Sequence, residues 1–136
     1  MATFHLSIIT PEHTFFEGDV DSLVFTTTDG EWCVMAGHQP MVINAVEGEI
    51  RIATARQTRY AASSAGFVTI MQDEVLVMLQ TCEWPEEIDI KRAERDKHAA
   101  EEILRQKKSM QEYALASSML ARAMVRLKVK NRNINS

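Results

Sequence analysis

The amino-acid sequence predicts a β-sandwich of about ten antiparallel strands followed by an α-helical hairpin. Through residue 85 the chain carries every glycine and proline and eight of its nine aromatic residues, and its turn signals recur every eight to twelve residues. That rhythm is typical of sandwiches of short strands. The residues after 85 contain no glycine or proline, as expected of helices. We therefore predict a sandwich domain over residues 1–84 and a two-helix hairpin over residues 85–136.

The strands are predicted from alternating or β-branched segments between turn residues. Residues 3–9 alternate, with Phe4, Leu6 and Ile8 on one face, and a later strand places Ile50 and Ile52 on one face. The other predicted strands are residues 20–27, 31–35, 41–46, 58–62, 67–71 and 75–81. Turn signals lie near positions 18, 30, 38, 48, 57, 65 and 73. A sandwich or flattened barrel is expected because an open sheet would expose hydrophobic edges.

Two helices are predicted after the sandwich. Pro85 and Asp89 mark the start of the first, over residues 91–107, and Ser109 caps the second after a break at residues 106–109. The facing residues are Ala93, Ala100, Ile103 and Leu104 on the first helix, and Tyr113, Ala116, Leu120, Ala123 and Leu127 on the second. This narrow seam is of coiled-coil type. Since each large seam residue contributes only ~1.5–3 kcal/mol, we predict a hairpin that is marginal alone and opens readily.

Charge divides the chain at the same place. The net charge is −4, but residues 1–84 hold three basic and eleven acidic residues, and residues 85–136 hold twelve basic and eight acidic ones. An acidic sandwich and a basic hairpin are expected to face different partners. No run approaches the ~18–20 apolar residues of a membrane span, and the N-terminus has no basic leader. Two cysteines do not make a disulfide framework, which favours a reducing cytoplasm.

Motifs of catalysis are missing from the sequence. It contains no phosphate-binding glycine loop and no Gly-x-Ser-x-Gly elbow, and its four histidines include no i,i+4 pair. Cys33 and His38 are too few for a zinc site, so a buried thiol and a loop histidine are the preferred interpretation. Asp19 and Asp21 are interpreted as a solvated strand edge. We therefore expect a non-catalytic protein that holds no metal and requires no cofactor.

Several segments in family order resemble the epsilon subunit of the bacterial rotary (F-type) ATP synthase, called delta in mitochondria. Characteristic among them are Gly37-His38-Gln39-Pro40 and the stretch from Ile88 to Ala93. The complete series is residues 4–12, 15–18, 29–31, 37–40, 66–68, 86–93, 113–116 and 121–127. Each segment alone is weakly specific, whereas the ordered series covers nearly the whole chain.

The resemblance implies a ten-stranded sandwich with a helical hairpin, acting as a central-stalk rotor subunit that couples proton flow to ATP synthesis. The implied partners are the gamma (shaft) subunit, the membrane ring of c subunits and, in an extended state, the catalytic alpha/beta head. The extended helices would inhibit ATP hydrolysis. The implied location is the cytoplasmic face of the bacterial plasma (inner) membrane, as a peripheral protein held through the complex alone, without nucleic acid.

The resemblance also implies contact residues. Glu31 matches a loop position that faces the c ring, and the alternative is a solvated turn residue. His38 matches a position near the shaft subunit, and the alternative is an imidazole that packs within its loop. Arg122, Arg126 and Lys128 would dock on an acidic segment of the catalytic head, where such charges govern recognition and rate. The alternative for these three is a solvated basic face that complements the helix dipole, worth ~0.3–1 kcal/mol.

A nucleotide site is implied by the stretch Ile88-Asp89-Ile90-Lys91-Arg92-Ala93, which fits the Ile/Leu-Asp-x-x-Arg-Ala signature of relatives that bind ATP as a regulatory ligand. The implied contacts are Glu83, Ile88, Asp89, Arg92, Ala93, Arg122 and Arg126. The i,i+3 spacing puts Asp89 and Arg92 on one helical side, where Arg92 can fork onto phosphate oxygens. Ala99 and Leu115 depart from the pattern of strong binders, so low affinity is expected. The alternative role of Asp89 is a helix N-cap, worth ~1 kcal/mol.

Three other functions are alternatives to the rotor subunit. The first is a non-catalytic adaptor domain of another complex. The second is a nucleic-acid module that uses Lys128, Lys130 and Arg132, against which the acidic sandwich argues. The third is a small enzyme that works at Cys33 and His38.

Overall fold

Ten strands in two sheets, followed by two helices, confirm the predicted fold class. The computed structural model of the chain describes residues 2–106 and 109–135. The strands are β1 Phe4–Ile9, β2 Thr14–Val20, β3 Ser22–Thr27, β4 Gly30–Met35, β5 Met41–Ala45, β6 Gly48–Ala53, β7 Thr58–Ser63, β8 Gly66–Ile70, β9 Glu74–Leu79 and β10 Cys82–Glu83. A 3₁₀ turn at Pro85–Glu87 leads to α1 Ile90–Arg105 and α2 Met110–Asn135.

The two sheets have five strands each. The first runs in the order β2-β1-β9-β8-β5 and the second in the order β10-β7-β6-β3-β4. Each sheet buries one face against the other, and the shared core contains Leu6, Leu23, Phe25 and Ile52, each at most 1% exposed. One pair departs from the antiparallel arrangement that we predicted, since β1 lies parallel to β9. A parallel pair needs a long crossover, and the whole chain from β2 to β8 supplies it.

The predicted turn near position 18 is wrong. Gly18 lies inside β2, opposite Leu6 of β1. The chain turns instead at Asp21, whose backbone N–H donates to the Ala53 carbonyl (2.8 Å), and there it passes from the first sheet to the second. The sequence signal misleads because a glycine within a strand looks like a turn residue. Strand β10 was also missed, since two residues are too few to show a period.

Both helix starts match their predicted caps. Asp89 Oδ1 accepts a hydrogen bond from the Arg92 backbone N–H (3.2 Å), and Ser109 Oγ accepts one from the Glu112 backbone N–H (3.2 Å). This confirms Asp89 as an N-cap. The end of α1 is Arg105, two residues before the predicted end, and Lys107 and Lys108 of the predicted break lie outside the described residues.

The helices pack through small residues, as the alanine spacing predicts. Ala93, Ala100, Ala116 and Ala123 are all buried, with at most 3% of their surface exposed. Tyr113 was wrongly placed in this seam, because 57% of its surface is exposed. It lies in the first turn of α2, close to the break between the two helices.

The hairpin rests on the outer face of the second sheet and not in the sandwich core. Ala62 of β7, Ile88 and Val129 form a separate buried cluster, with Val125 packed against it. At ~1.5–3 kcal/mol for each fully buried Val or Ile side chain, this cluster stabilises docking only modestly. Hydrogen bonds and ion pairs between the hairpin and the sandwich form the site described next.

Candidate functional site at the hairpin–sandwich junction

The structure brings most of the predicted nucleotide contacts to one cleft. Glu83 of β10, the N-cap Asp89, Arg92 and Ala93 of α1, and Arg126 of α2 line a space of about 110 Å³. A wider opening of about 370 Å³ shares Glu83, Arg92 and Arg126 with it. The smaller volume is below the ~300–1,000 Å³ of typical ligand pockets, whereas the wider opening lies within that range.

Several of these side chains are already engaged. The Arg126 guanidinium forms an ion pair with Glu83, which joins α2 to the last strand. Asp89 caps α1, and Glu87 Oε1 accepts a hydrogen bond from the Trp84 backbone N–H (2.9 Å). A nucleotide phosphate that used Arg126 would therefore replace the carboxylate of Glu83.

The remaining predicted contacts take different positions. Ile88 and Ala93 are 4% and 1% exposed, so they shape the wall of the cleft and stabilise packing. Arg122 lies beside Glu83 and Arg126 in a neighbouring recess, which extends the basic side of the site along α2. Lys128 is exposed and lines neither opening. It lies two residues from Arg126, and that spacing points it to another side of the helix.

The cleft is acidic overall, which bears on what it can hold. Four carboxylates line it, those of Glu83, Glu87, Asp89 and Asp96, against two guanidinium groups. Like charges would repel a nucleotide triphosphate unless the arginines turn toward it or a cation accompanies it. Low affinity for a nucleotide stays a prediction.

A second polar contact joins the end of α2 to the sandwich. Glu49 of β6 is buried with its side chain 2% exposed, and its carboxylate accepts two hydrogen bonds from Arg132. The Nε–Oε2 distance is 2.7 Å and the Nη2–Oε1 distance is 3.1 Å. This hydrogen-bonded ion pair raises the pKa of Arg132. Lys130 Nζ also donates to the Pro85 carbonyl (2.9 Å).

The sequence alone did not predict this contact. Arg132 and Lys130 were considered only as part of a nucleic-acid alternative, and Glu49 was not singled out. The one available signal is the position of Glu49, between Gly48 and the buried Ile50 in a strand whose other charged residue is Arg51. A glutamate in such a strand needs a cation, because a buried charge is costly without a partner.

Glu31 and His38 lie at separate places on the second sheet and its following turn. Glu31 is the second residue of β4, not a loop residue, and its carboxylate is 3.0 Å from Arg51 of β6. His38 follows Gly37, whose φ of +84° suits glycine, and its Nδ1 donates to the Gln39 carbonyl (2.9 Å). The imidazole thus packs within its own loop, and each residue keeps part of its surface available to a partner.

Two residue pairs were singled out in the sequence, Cys33 with His38 and Asp19 with Asp21. In each pair one residue differs from its prediction. Cys33 is exposed, contrary to the buried thiol that we predicted, whereas Cys82 is buried. Asp19 is not merely a solvated edge, since its Oδ1 lies 3.2 Å from Nδ1 of His5. Within residues 2–106 and 109–135, no group of three or more potential ligands is arranged to hold a metal ion. Nor is any helix in that part of the chain long and apolar enough to cross a membrane.

Comparison with known protein families matches both parts of the chain. Residues 3–85 match the family described as ATP synthase, Delta/Epsilon chain, beta-sandwich domain. Residues 86–131 match the family described as ATP synthase, Delta/Epsilon chain, long alpha-helix domain.

Curated relatives and solved structures agree with these matches. The ATP synthase epsilon chain of Caldanaerobacter subterraneus subsp. tengcongensis is 43% identical over 131 residues, 96% of this chain and 95% of that protein. The ATP synthase epsilon chain of Ruminiclostridium cellulolyticum is 43% identical over 132 residues, 97% of this chain and 98% of that protein. A chain of the Euglena gracilis mitochondrial ATP synthase shares the fold at a TM-score of 0.78 and 18% identity, over 89% of this chain and 77% of that chain. The chain therefore belongs to the delta/epsilon chain family of ATP synthase, a family of subunits that are not themselves catalytic.

Proposed function

We propose that this protein is a central-stalk rotor subunit of a proton-translocating ATP synthase, and that its hairpin restrains ATP hydrolysis. The observation that carries the proposal is how the hairpin is held. A three-residue apolar cluster and a few ion pairs hold it to the outside of an independently packed sandwich. Such an interface can open without disturbing the sandwich core. Elements that move in regulation are drawn from the less stable parts of a fold.

The test is to assemble the ATP synthase with the full chain or with a chain that ends at residue 85. The sandwich keeps its complete core in the shorter chain, so assembly should persist. ATP hydrolysis should rise, because the proposed inhibitory element is missing. Equal rates of hydrolysis in the two enzymes would refute the inhibitory role, and failed assembly of the shorter chain would refute the separate roles of the two parts.

The charges of α2 support docking on the catalytic head in the extended state. Arg126 is paired with Glu83 when the hairpin is folded back, and undocking would free it together with Arg122. Lys128 is exposed already. The reversal variants Arg122→Glu and Arg126→Glu should weaken inhibition in the assembled enzyme. Lys97→Glu on α1 is the matched control, and an equal effect of this control would argue against a specific acidic partner.

A contact with the shaft subunit is supported by an apolar outer face of the first sheet. Phe67 of β8 lies directly opposite Met78 of β9, and their exposed fractions are 52% and 46%. Val42 on the neighbouring strand β5 is 64% exposed. Contiguous exposed apolar residues mark interaction sites, and β5 follows the loop that carries His38. Phe67→Asp should weaken binding of the isolated shaft subunit, whereas Met110→Asp, at an 89% exposed position on α2, should not.

Glu31 is the proposed contact with polar loops of the c ring. Its side chain is 50% exposed despite its ion pair with Arg51, so part of the carboxylate is free to accept from a basic loop. Glu31→Gln should reduce coupling between proton flow and ATP synthesis without unfolding the sandwich. Unchanged coupling would exclude this role. Through these contacts the protein would lie at the cytoplasmic face of the bacterial plasma membrane, held there by the complex.

Weak ATP binding to the folded hairpin is the proposed regulation. A ligand that binds only the folded form stabilises it by ~2.7 kcal/mol at a hundredfold excess over Kd. Titration of the isolated chain with ATP should shift the NMR signals of Asp89 and Arg92. Arg92→Gln should abolish the shifts, whereas Arg95→Gln, at an exposed position on the same helix, should retain them. Asp89→Asn keeps an N-cap residue and so separates the role of the carboxylate in binding from capping.

A further inference from the structure

A second cleft lies next to Trp84 and shares no lining residue with the acidic site. It has a volume of about 270 Å³, and its lining includes Thr58, Arg59 and Tyr60 of β7, Trp84, and Arg132 of α2. One carboxylate, that of Glu86, lines it against two guanidinium groups. Because Arg132 is already paired with Glu49, Arg59 is the guanidinium of this cleft that no described carboxylate contacts.

Arg59 has an unusual environment for a partly buried arginine. Its guanidinium carbon lies 3.6 Å from the centre of the Trp84 ring. Arg51, Arg126 and Arg132 are paired with carboxylates. Among the described residues Arg59 has no hydrogen-bond acceptor or ion-pair partner. A guanidinium stacked on a ring still presents its N–H donors around its edge, so Arg59 has donors available for a ligand.

Arg132 lines the same cleft from α2. Its guanidinium carbon lies 4.6 Å from the centre of the Tyr60 ring, and Nε and Nη2 are engaged with Glu49. Its Nη1 has no partner in the described part of the chain. The cleft thus presents N–H donors from two stacked guanidinium groups, one on the sandwich and one on the hairpin.

The aromatic rings limit what the cleft can recognise. Phe15 stacks on Trp84 with ring centroids 4.2 Å apart and planes at 25°, and Arg59 lies over the same indole. Because Trp84 is already stacked with both groups, a nucleobase has little room to stack there. Recognition is left to the edges of the guanidinium groups, which favour compact oxyanions. A tetrahedral phosphate presents oxygens toward both walls, whereas a planar carboxylate pairs well with only one fork.

We propose that the cleft between Arg59 and Arg132 binds a phosphate group. Since one wall belongs to the sandwich and the other to α2, the site is complete only while the hairpin is docked. A bound phosphate would therefore favour the docked hairpin. This site is distinct from the one proposed for ATP at Asp89 and Arg92, and it does not depend on it.

The test is a titration of the full chain with inorganic phosphate at constant ionic strength, with chloride as the balancing anion. The NMR signals of the Trp84 indole N–H and the Arg59 Nε–H should shift and saturate. Arg59→Gln should weaken binding about tenfold or more, as expected from the loss of charge-assisted hydrogen bonds. Arg59→Lys keeps the charge but loses the fork, and should bind with intermediate affinity. Arg56→Gln, at an exposed position in the β6–β7 turn, is the matched control and should bind like the native chain.

A second arm of the experiment distinguishes free phosphate from a lipid headgroup. It measures binding of the chain to phosphatidylglycerol vesicles and to phosphatidylcholine vesicles. Binding to the anionic vesicles alone, lost in Arg59→Gln, would identify a lipid headgroup. Shifts that do not saturate, or that persist unchanged in Arg59→Gln, would overturn the site, as would equal losses in the Arg56→Gln control.

Hydrogen exchange of α2 amides gives an independent readout. At phosphate tenfold above Kd, opening of the hairpin should fall about elevenfold, and an unchanged rate would refute the link to docking.

Discussion

Removal of the Arg132 guanidinium should release the hairpin while the sandwich stays folded. Glu49 is buried, and within the described residues both hydrogen bonds that its carboxylate accepts come from Arg132. In Arg132→Gln the one described cation left near the carboxylate is Arg51, whose Nη1 is 4.0 Å away. The docked state would then contain a poorly paired buried charge, whereas an undocked hairpin would leave Glu49 exposed to water.

The size of the expected loss in docking free energy follows from the exposure of Arg132 and Glu49. Loss of one partner from a fully buried ion pair costs ~3–5 kcal/mol. Arg132 is 39% exposed and Arg51 is nearby, so the smaller cost of a charged hydrogen bond is the better guide. We expect docking to weaken by about 1–3 kcal/mol, which is a 5- to 150-fold rise in the population of the open hairpin.

Native-state hydrogen exchange measures this population directly. Amides of α1 and α2 should exchange about 5- to 150-fold faster in Arg132→Gln, and amides of β1 and β9 should exchange at the native rate. The double variant with Glu49→Gln should recover most of the protection, because no buried charge remains without a partner. Unchanged exchange of α2 in Arg132→Gln would refute the reasoning, and so would an equal acceleration throughout the sandwich.

Three further predictions concern other parts of the molecule. Ala123→Leu should destabilise the helix pair by about 1–3 kcal/mol by overpacking its seam, measured as faster hydrogen exchange of the α1 amides. The hydrogen bond with Asp19 raises the pKa of His5, so its stabilising contribution should be complete below the unfolded pKa near 6.5 and be lost as pH rises through the folded value. His5→Gln should flatten that part of the stability–pH curve, and an unchanged curve would contradict the assignment. Burial raises the pKa of the Cys82 thiol, so iodoacetamide should modify Cys33 in the native chain and Cys82 only on unfolding, as read by mass spectrometry.

Local patterns in the sequence predicted much of the fold, because they reflect the burial of alternate residues. Ile50 and Ile52 share the buried face of β6 as their spacing predicted. Asp89 and Ser109 cap their helices because capping depends only on the next few backbone groups. The wrong turn predicted within β2, residues 14–20, also has a local cause. Adjacent phenylalanines break the alternation, and Gly18 resembles a turn.

Contacts between distant residues could not be predicted from such patterns. The parallel pairing of β1 with β9 joins the two ends of the sandwich. Glu49 and Arg132 are 83 positions apart, and the burial of Glu49 depends on the docked end of α2. The convergence of Glu83 and Arg126 on the cleft of Asp89 and Arg92 was anticipated through family resemblance, since no spacing rule relates those segments.

The central claim is that the hairpin has a docked position and a second, extended one. The most direct test measures the distance between spin labels on the native exposed Cys33 and on Met124→Cys in the assembled ATP synthase, with buried Cys82 left unlabelled. Met124 is 52% exposed on α2, so a label there should not disturb the seam. The account predicts two distance populations, one matching this structure and one longer, with saturating ATP favouring the shorter. A single distance matching the docked hairpin, with and without ATP, would contradict it.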